Sequence, residues 1–186
     1  MQQALEPRRF FENPVYKDKV TVLKSNQETG GSYSLGKLEV APGGGNQLHV
    51  HKAFAETFTA VKGVLGVQLR KRKLYLRPGE SVTVPAGTPH HFFNNTSDTI
   101  ICNVKFEPGH GGFEKGLAIA YGLATEGKTN AKGVPKNITH LALIIVLTDS
   151  RPAGAMGLLM PLFNWLAARA RKKGMEQELL KKYYYQ

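Results

Sequence analysis

The stretch GGGNQLHVHKAFAETFTAVKG, residues 43–63, places two histidines and one glutamate close together in the chain. Because alternate side chains of a β-strand point to the same face, His49 and His51 are expected to present both rings on one side. Glu56 follows a short turn and begins the next predicted strand, from which its carboxylate can reach the two imidazoles. Buried ionisable groups are unfavourable unless they are paired or bind a metal, so this spacing indicates a metal site.

A second stretch, GESVTVPAGTPHHFFN at residues 79–94, supplies a third imidazole. The turn Pro85-Ala86-Gly87 is predicted to deliver His90 to the beginning of a later strand. Together the two stretches offer three imidazole nitrogens and one carboxylate oxygen, without a thiolate. Such a set suits one divalent transition metal (iron, manganese, nickel, copper or zinc) and leaves coordination positions open for water or substrate.

The chain divides into a β-rich part and a helical part. Between residues 19 and 107, short β-rich runs alternate with turn signals at the interval typical of an all-β barrel or sandwich. Beyond Glu107-Pro108-Gly109 the apolar period becomes helical, which predicts helices near 113–127, 138–147, 155–170 and 175–184. We therefore predict an N-terminal arm (1–18), a β-barrel with the metal site (19–108), and a helical C-terminal extension (109–186) packed on the barrel or at a dimer interface.

The two histidine stretches resemble the two motifs of the cupin superfamily. Every fixed position of the first motif is filled here by Gly43, His49, His51, Glu56 and Gly63, and every one of the second by Gly79, Pro85, Gly87, His90 and Asn94. The resemblance covers roughly residues 19–107 and is closest to single-domain cupins. It implies a mainly β fold, a jelly-roll barrel of two antiparallel sheets followed here by the α-helical extension. It also implies a metal near one open end of the barrel, with His49, His51, Glu56 and His90 as ligands.

Three further residues are candidates for a substrate pocket. Gln47 has the same strand parity as His49, Phe58 the same as Glu56, and Phe92 the same as His90. Core packing explains the two phenylalanines equally well, and Gln47 could bond to the backbone instead. Catalytic residues cannot be assigned, because these faces carry no acid or base besides the predicted ligands.

Composition and charge restrict the other interpretations. A chain of 186 residues corresponds to one domain with an appendage, and its formal net charge of +11 predicts attraction to anions. The basic residues concentrate in 70–73, a predicted hairpin tip, and in 169–173, a predicted helix end, so a solvated surface explains them without nucleic acid. The N-terminus has no apolar signal segment and the single cysteine, Cys102, cannot form an internal disulfide, so we expect a cytoplasmic protein.

Three functions remain open at this point. The first is a metalloenzyme acting on a small molecule, dioxygenase-like or isomerase-like, and the lack of an acid or base favours oxidation by dioxygen over hydrolysis. The second is a non-catalytic cupin that binds or senses a small molecule. The third is a peripheral membrane protein anchored by its C-terminal helices. We also expect a homodimer, because the apolar helices carry more surface than one small barrel needs.

Overall fold

The computed structural model describes residues 6–152 and 154–186. The first part of the chain is built from short strands, as the alternation of β-rich runs and turns predicts. The strands are β1 Phe10–Asn13, β2 Asp18–Lys24, β3 Ser34–Val40, β4 His49–Val50, β5 Ala55–Lys62, β6 Leu65–Leu69, β7 Arg72–Leu76, β8 Ser81–Val84, β9 His90–Phe93 and β10 Ile100–Glu107.

The second part is helical, with one return to β structure. Its elements are α1 Gly111–Thr125, α2 Ile138–Thr148, the two-residue strand β11 Arg151–Pro152, a 3₁₀ segment Gly154–Leu159, α3 Met160–Lys172 and α4 Met175–Tyr183. The Asn137 side chain caps α2 by accepting hydrogen bonds from the first backbone N–H groups of the helix. The His110 ring caps α1 by accepting a hydrogen bond from the backbone N–H of Phe113, so this histidine has a structural role.

The strands form two antiparallel sheets. One has six strands in the order β1-β2-β3-β10-β5-β8, and the other has five in the order β11-β4-β9-β6-β7. This arrangement, followed by the helices, confirms the predicted fold class. Strand β1 lies within the segment predicted to be an arm and pairs with β2, with Phe11 opposite Val20. The division of the chain at residues 18 and 108 stays a prediction.

Two hydrophobic cores stabilise the protein. The inward positions of both sheets form the first, which includes the fully buried Val40, Leu65, Val67, Ile100 and Cys102. Burial raises the pKa of the Cys102 thiol to about 12, so this cysteine behaves as a small apolar side chain. The helices form the second core around Ile119, Leu123, Ala142, Leu143 and Phe163, together with Phe11 of β1. Full burial of each large apolar side chain contributes about 1.5–3 kcal/mol, so the helices are firmly attached to the six-stranded sheet.

Among the described residues, none of the helices is both long and apolar enough to cross a membrane.

A buried carboxyl group lies where α1 meets β2. Asp18 is 2% exposed, and Tyr121 of α1 donates a hydrogen bond to its Oδ2 at 2.8 Å. Its Oδ1 has no hydrogen-bond partner within the described part of the chain. Burial raises the pKa of Asp18 to about 7, although the hydrogen bond from Tyr121 acts in the opposite direction. Asp18 therefore takes up a proton on folding at mildly acidic pH.

This proton predicts a specific dependence of stability on pH. An unfolded Asp18 ionises near pH 3.8, whereas the folded protein keeps the proton until about pH 7. The contribution of Asp18 to stability is therefore present below about pH 4 and is lost as the pH rises to 7. We predict that Asp18→Asn, which is uncharged and isosteric, gains stability relative to the wild type between pH 4.5 and 8, on the order of 2–4 kcal/mol. Urea unfolding of both proteins at the two pH values measures this change, and a pH-independent difference between them would contradict it.

Candidate metal centre

Three histidines and one glutamate converge from both sheets. His49 of β4 pairs directly with His90 of β9 in the five-stranded sheet, whereas Glu56 belongs to β5 of the six-stranded sheet. His51 lies one position beyond the end of β4. One ligand atom of each of these four residues lies within 4.8 Å of all the others. We refer to His49, His51, Glu56 and His90 as the metal cluster.

The distances in the metal cluster are close to those around a bound ion. The Nε2 atoms of His49 and His51 are 2.9 Å apart, and Glu56 Oε2 lies 2.7 Å from His90 Nε2 and 3.7 Å from His51 Nε2. Ligand atoms at about 2.1 Å from one ion are separated by roughly 3 to 4.2 Å, depending on the angle between them. The four residues therefore fit a metal after small side-chain adjustments.

Hydrogen bonds on the outer side of each ring fix its orientation. The Nδ1 atoms of His49, His90 and His51 lie 2.7, 2.9 and 3.3 Å from the carbonyl oxygens of Gln47, Thr88 and Asp149. A carbonyl oxygen only accepts hydrogen bonds, so each Nδ1 carries the proton and each Nε2 faces the centre. In neutral His49 and His51 both Nε2 atoms present lone pairs at 2.9 Å. Two such lone pairs repel each other, and a cation between them removes the repulsion.

The environment keeps two of the rings neutral. Burial lowers the pKa of His49 to about 3, and the neighbouring imidazoles His51 and His90 lower it further. Burial, reinforced by His90, likewise lowers the pKa of His51 to about 3. For His90 burial is the largest single effect and lowers the pKa, but the hydrogen bond to Glu56, the charge of Glu56 and the carbonyl of Thr88 together raise it above its usual value. Neutral imidazoles next to a carboxylate are the protonation states that metal binding requires.

A cavity of about 380 Å³ adjoins the metal cluster and reaches His49 and Glu56. Of the three predicted pocket residues, Gln47 and Phe92 are on its wall. Phe58 is not among the lining residues and packs in the barrel core, with its ring centroid 6.1 Å from that of Phe92. The role of all three toward a substrate stays a prediction. His91 faces away from the cluster, as its parity predicts, and its Nε2 lies 3.3 Å from Gln68 Oε1.

Asp149, at the end of α2, was not predicted from the sequence as a site residue. Its carboxylate accepts hydrogen bonds from the backbone N–H groups of Lys52 (2.5 Å) and Ala53 (2.8 Å), just after His51. Burial would raise the pKa of Asp149, but hydrogen bonds from Arg151, Lys52 and Ala53 lower it, so the carboxylate is ionised. The following strand β11 pairs with β4, with Pro152 opposite His49. The C-terminal extension is therefore attached to the segment that carries two of the four cluster residues.

Two aromatic rings lie next to His51, and neither is among the three pocket residues predicted from the sequence. The Phe54 ring stacks on His51 at a centroid distance of 4.5 Å, and Phe113 of α1 meets the same ring edge-on at 5.7 Å. On the opposite side of the loop, the backbone N–H of Gly87 donates to the carbonyl of His51 at 2.6 Å. Gly87 has a φ of +80°, a conformation that favours glycine, which explains this residue in the turn before His90.

Comparison with known proteins agrees with this fold and site. Residues 36–104 match the family model described as the cupin domain, Cupin_2. That segment contains the whole metal cluster and most of both sheets. This match supports a cupin superfamily protein and confirms the resemblance of the two sequence motifs.

Individual relatives match this chain only in part and at low sequence identity. The quercetin 2,3-dioxygenase of Bacillus subtilis (strain 168) is 32% identical over 72 residues, which are 39% of this chain and 21% of that protein. This chain therefore spans about a fifth of the length of that curated relative. The polyketide cyclase RemF of Streptomyces resistomycificus is 21% identical with a TM-score of 0.47, over 57% of this chain and 79% of that one. A Cupin_2 domain of an XRE family transcriptional regulator from Enterobacter cloacae is 18% identical with a TM-score of 0.45, over 49% and 96%.

The contact between Asp149 and the His51 loop predicts a stability change. Asp149 has a φ of +48°, so Asp149→Gly removes the carboxylate without backbone strain. Two backbone N–H groups then lose their hydrogen bonds to the carboxylate, and we predict a loss of about 1–3 kcal/mol in the free energy of unfolding. Asp149→Asn is the matched control, because it tolerates this φ and keeps one acceptor oxygen, and its loss should be smaller. Urea unfolding of the three proteins measures both effects, and a Gly variant as stable as the wild type would contradict this role.

Proposed function

We propose that this chain is a metal-dependent enzyme that acts on a small molecule, with dioxygenase-like chemistry. One observation supports this above all others: three Nε2 atoms and a carboxylate oxygen meet at the end of a cavity. His49, His51, Glu56 and His90 would hold one divalent transition metal, which is iron, manganese, nickel, copper or zinc by the chemistry of its ligands. Such a metal supplies polarisation of a bound oxygen group or redox chemistry with dioxygen.

The cavity lining favours oxidation over acid–base chemistry. Outside the metal cluster, the ionisable residues on the described part of the wall are Tyr16, Lys37 and Tyr121. Burial raises the pKa of Tyr16 to about 12 and also raises that of Tyr121 well above its usual value, so neither phenol releases a proton at neutral pH. Lys37 forms an ion pair with Glu39 at 2.8 Å. An isomerase needs a residue that takes up and returns a proton, and this wall offers no suitable one beyond the metal cluster.

The similarity to a quercetin dioxygenase supports the same choice. The substrate of that relative does not transfer to this chain, because four fifths of its length has no counterpart here. A small-molecule partner, a cytoplasmic location and a homodimer complete the proposal.

Metal analysis tests the ligand assignment. We predict about one equivalent of a transition metal in the wild-type protein purified without chelator, and less than about a tenth of an equivalent in His49→Ala. His91→Ala is the matched control, because His91 is adjacent to the cluster in sequence and faces away from it. Elemental analysis of the three proteins gives the result. Metal retained in His49→Ala, or lost equally in His91→Ala, would contradict the assignment.

Oxygen consumption tests the reaction class. We predict that metal-loaded protein consumes dioxygen on addition of small phenols or diketones, and that His49→Ala does not. An oxygen electrode measures the uptake, and free metal at the same concentration controls for reaction in solution. Stoichiometric metal with no uptake on any of these compounds would contradict the enzyme proposal and favour the alternative of a non-catalytic cupin that binds or senses a small molecule.

Light scattering tests the homodimer. The 3₁₀ segment and α3 expose three large apolar residues that a dimer interface would cover. Leu158, Leu162 and Trp165 are 81%, 46% and 57% exposed. We predict a particle of twice the chain mass at micromolar concentration, and a monomer would contradict this expectation. Binding to anionic vesicles, checked on the same preparation, would instead favour the membrane-associated alternative.

A further inference from the structure

We infer that the molecule bound beside the metal cluster has an apolar body of one or two rings and carries its polar groups at one end only, and that the C-terminal helices select it. This inference rests on the proposed function, since it concerns the ligand of the same site. It is carried by the composition of the cavity wall, by the engagement of the polar side chains there and by the size of the cavity.

The wall has two halves, and both are apolar. The barrel contributes side chains such as Leu38, Val104 and Phe106, which belong to β3 and β10. The extension contributes Leu117 of α1 together with Leu141 and Ile144 of α2. Half of the surface that a ligand would contact therefore lies outside the segment that matches the cupin family model. The family match alone says nothing of this half.

Two polar side chains on the wall outside the metal cluster are engaged within the protein. Tyr121 donates to Asp18 at 2.8 Å, and Thr148 Oγ1 donates to the carbonyl of Ile144 at 2.7 Å. The only cation on the described wall, Lys37, is paired with Glu39 at 2.8 Å. A phosphate, sulfonate or carboxylate in this part of the cavity would lose its hydration without gaining an unpaired cation. An oxygen group finds partners at the end occupied by His49 and Glu56.

The volume sets the size of the ligand. A dry apolar cavity of about 150 Å³ accommodates one benzene ring. A volume of about 380 Å³ therefore has room for a two-ring molecule. It also falls within the range of roughly 300–1,000 Å³ that is usual for small-molecule sites. Sugars of similar size carry hydroxyl groups around the whole ring, and the engaged wall gives these no partners.

Calorimetry with two matched probes tests the inference. The first is β-naphthol, which has one hydroxyl group on two apolar rings. The second is a naphthol sulfonate with the sulfonate on the ring that does not carry the hydroxyl. We expect β-naphthol to bind one per chain with a Kd in the roughly micromolar range, and the sulfonate to bind at least about tenfold more weakly.

Variants of the extension test where the probe binds. Ile144→Phe fills the cavity from α2, and we expect it to weaken β-naphthol binding about tenfold or more. Ile138→Phe is the matched control on the same helix, because Ile138 is 51% exposed and lies away from the wall. Should Ile144→Phe fail to fold, Leu117→Phe of α1 makes the same test from the second helix. Metal content and thermal unfolding of each variant establish that the fold is intact.

Three results would overturn the inference: no binding of β-naphthol, equal binding of both probes, or binding of β-naphthol that neither cavity-filling variant weakens. Metal content, measured on the same samples, separates this from the proposed function. If the protein selects β-naphthol but holds no metal, the enzyme proposal is contradicted and the inferred ligand class is retained. If the protein holds metal but prefers the sulfonate, the inferred ligand class is contradicted and the metal assignment is retained.

Discussion

The geometry of the metal cluster depends on three hydrogen bonds from imidazole Nδ1 atoms to backbone carbonyls. A main-chain carbonyl moves only when the backbone moves. The orientation of each ring is therefore fixed by the backbone segment that supplies its carbonyl partner. Gln47 and Thr88 belong to the β-rich part, but Asp149 belongs to the C-terminal extension. The environment of His51 is therefore complete only when the extension is docked on β4. This makes the extension part of the metal centre and not an appendage to it.

The same docking shapes the cavity. Helix α2 ends at Asp149, which binds the backbone beyond His51, and its earlier turns supply Leu141 and Ile144 to the wall. One helix thus holds the loop that carries His51 at one end and contributes side chains to the cavity wall along its side. The same element therefore contacts both the metal cluster and the cavity.

Strand parity predicted which face the cluster residues occupy, but it could not predict depth or distant partners. His49 and His51 share a face because they are two residues apart, and Glu56 meets them because β5 begins where the turn signals place it. Phe58 has the parity of Glu56 and does point inward, yet it packs behind Phe92 and not on the cavity wall. Gln47 precedes the first residue of β4, so the alternation of side chains along a strand does not apply to it. Its backbone carbonyl, and not its side chain, makes the hydrogen bond to His49.

Short elements escaped the sequence for a related reason. β11 has two residues and β1 has four, which is too few for a period to be recognised. Asp149 directly follows an apolar helix, so the sequence indicates only that the helix ends there. Its partners, Lys52 and Ala53, lie 97 and 96 positions earlier, and no local pattern encodes a contact over that separation. The helical period itself was sufficient to place all four helices to within a few residues.

The net charge and the cavity recognise different things. A net charge of +11 predicts attraction to anions, and the residues responsible, such as Arg70–Lys73 and Arg169–Lys173, are exposed and lie on a hairpin tip and at the end of α3. At physiological salt, charges more than about 8 Å apart in solvent are largely screened, so these groups act only on molecules at the surface. On the described cavity wall the one cation, Lys37, is paired with Glu39. The net charge therefore reflects exposed surface groups and gives no information about the lining of the cavity.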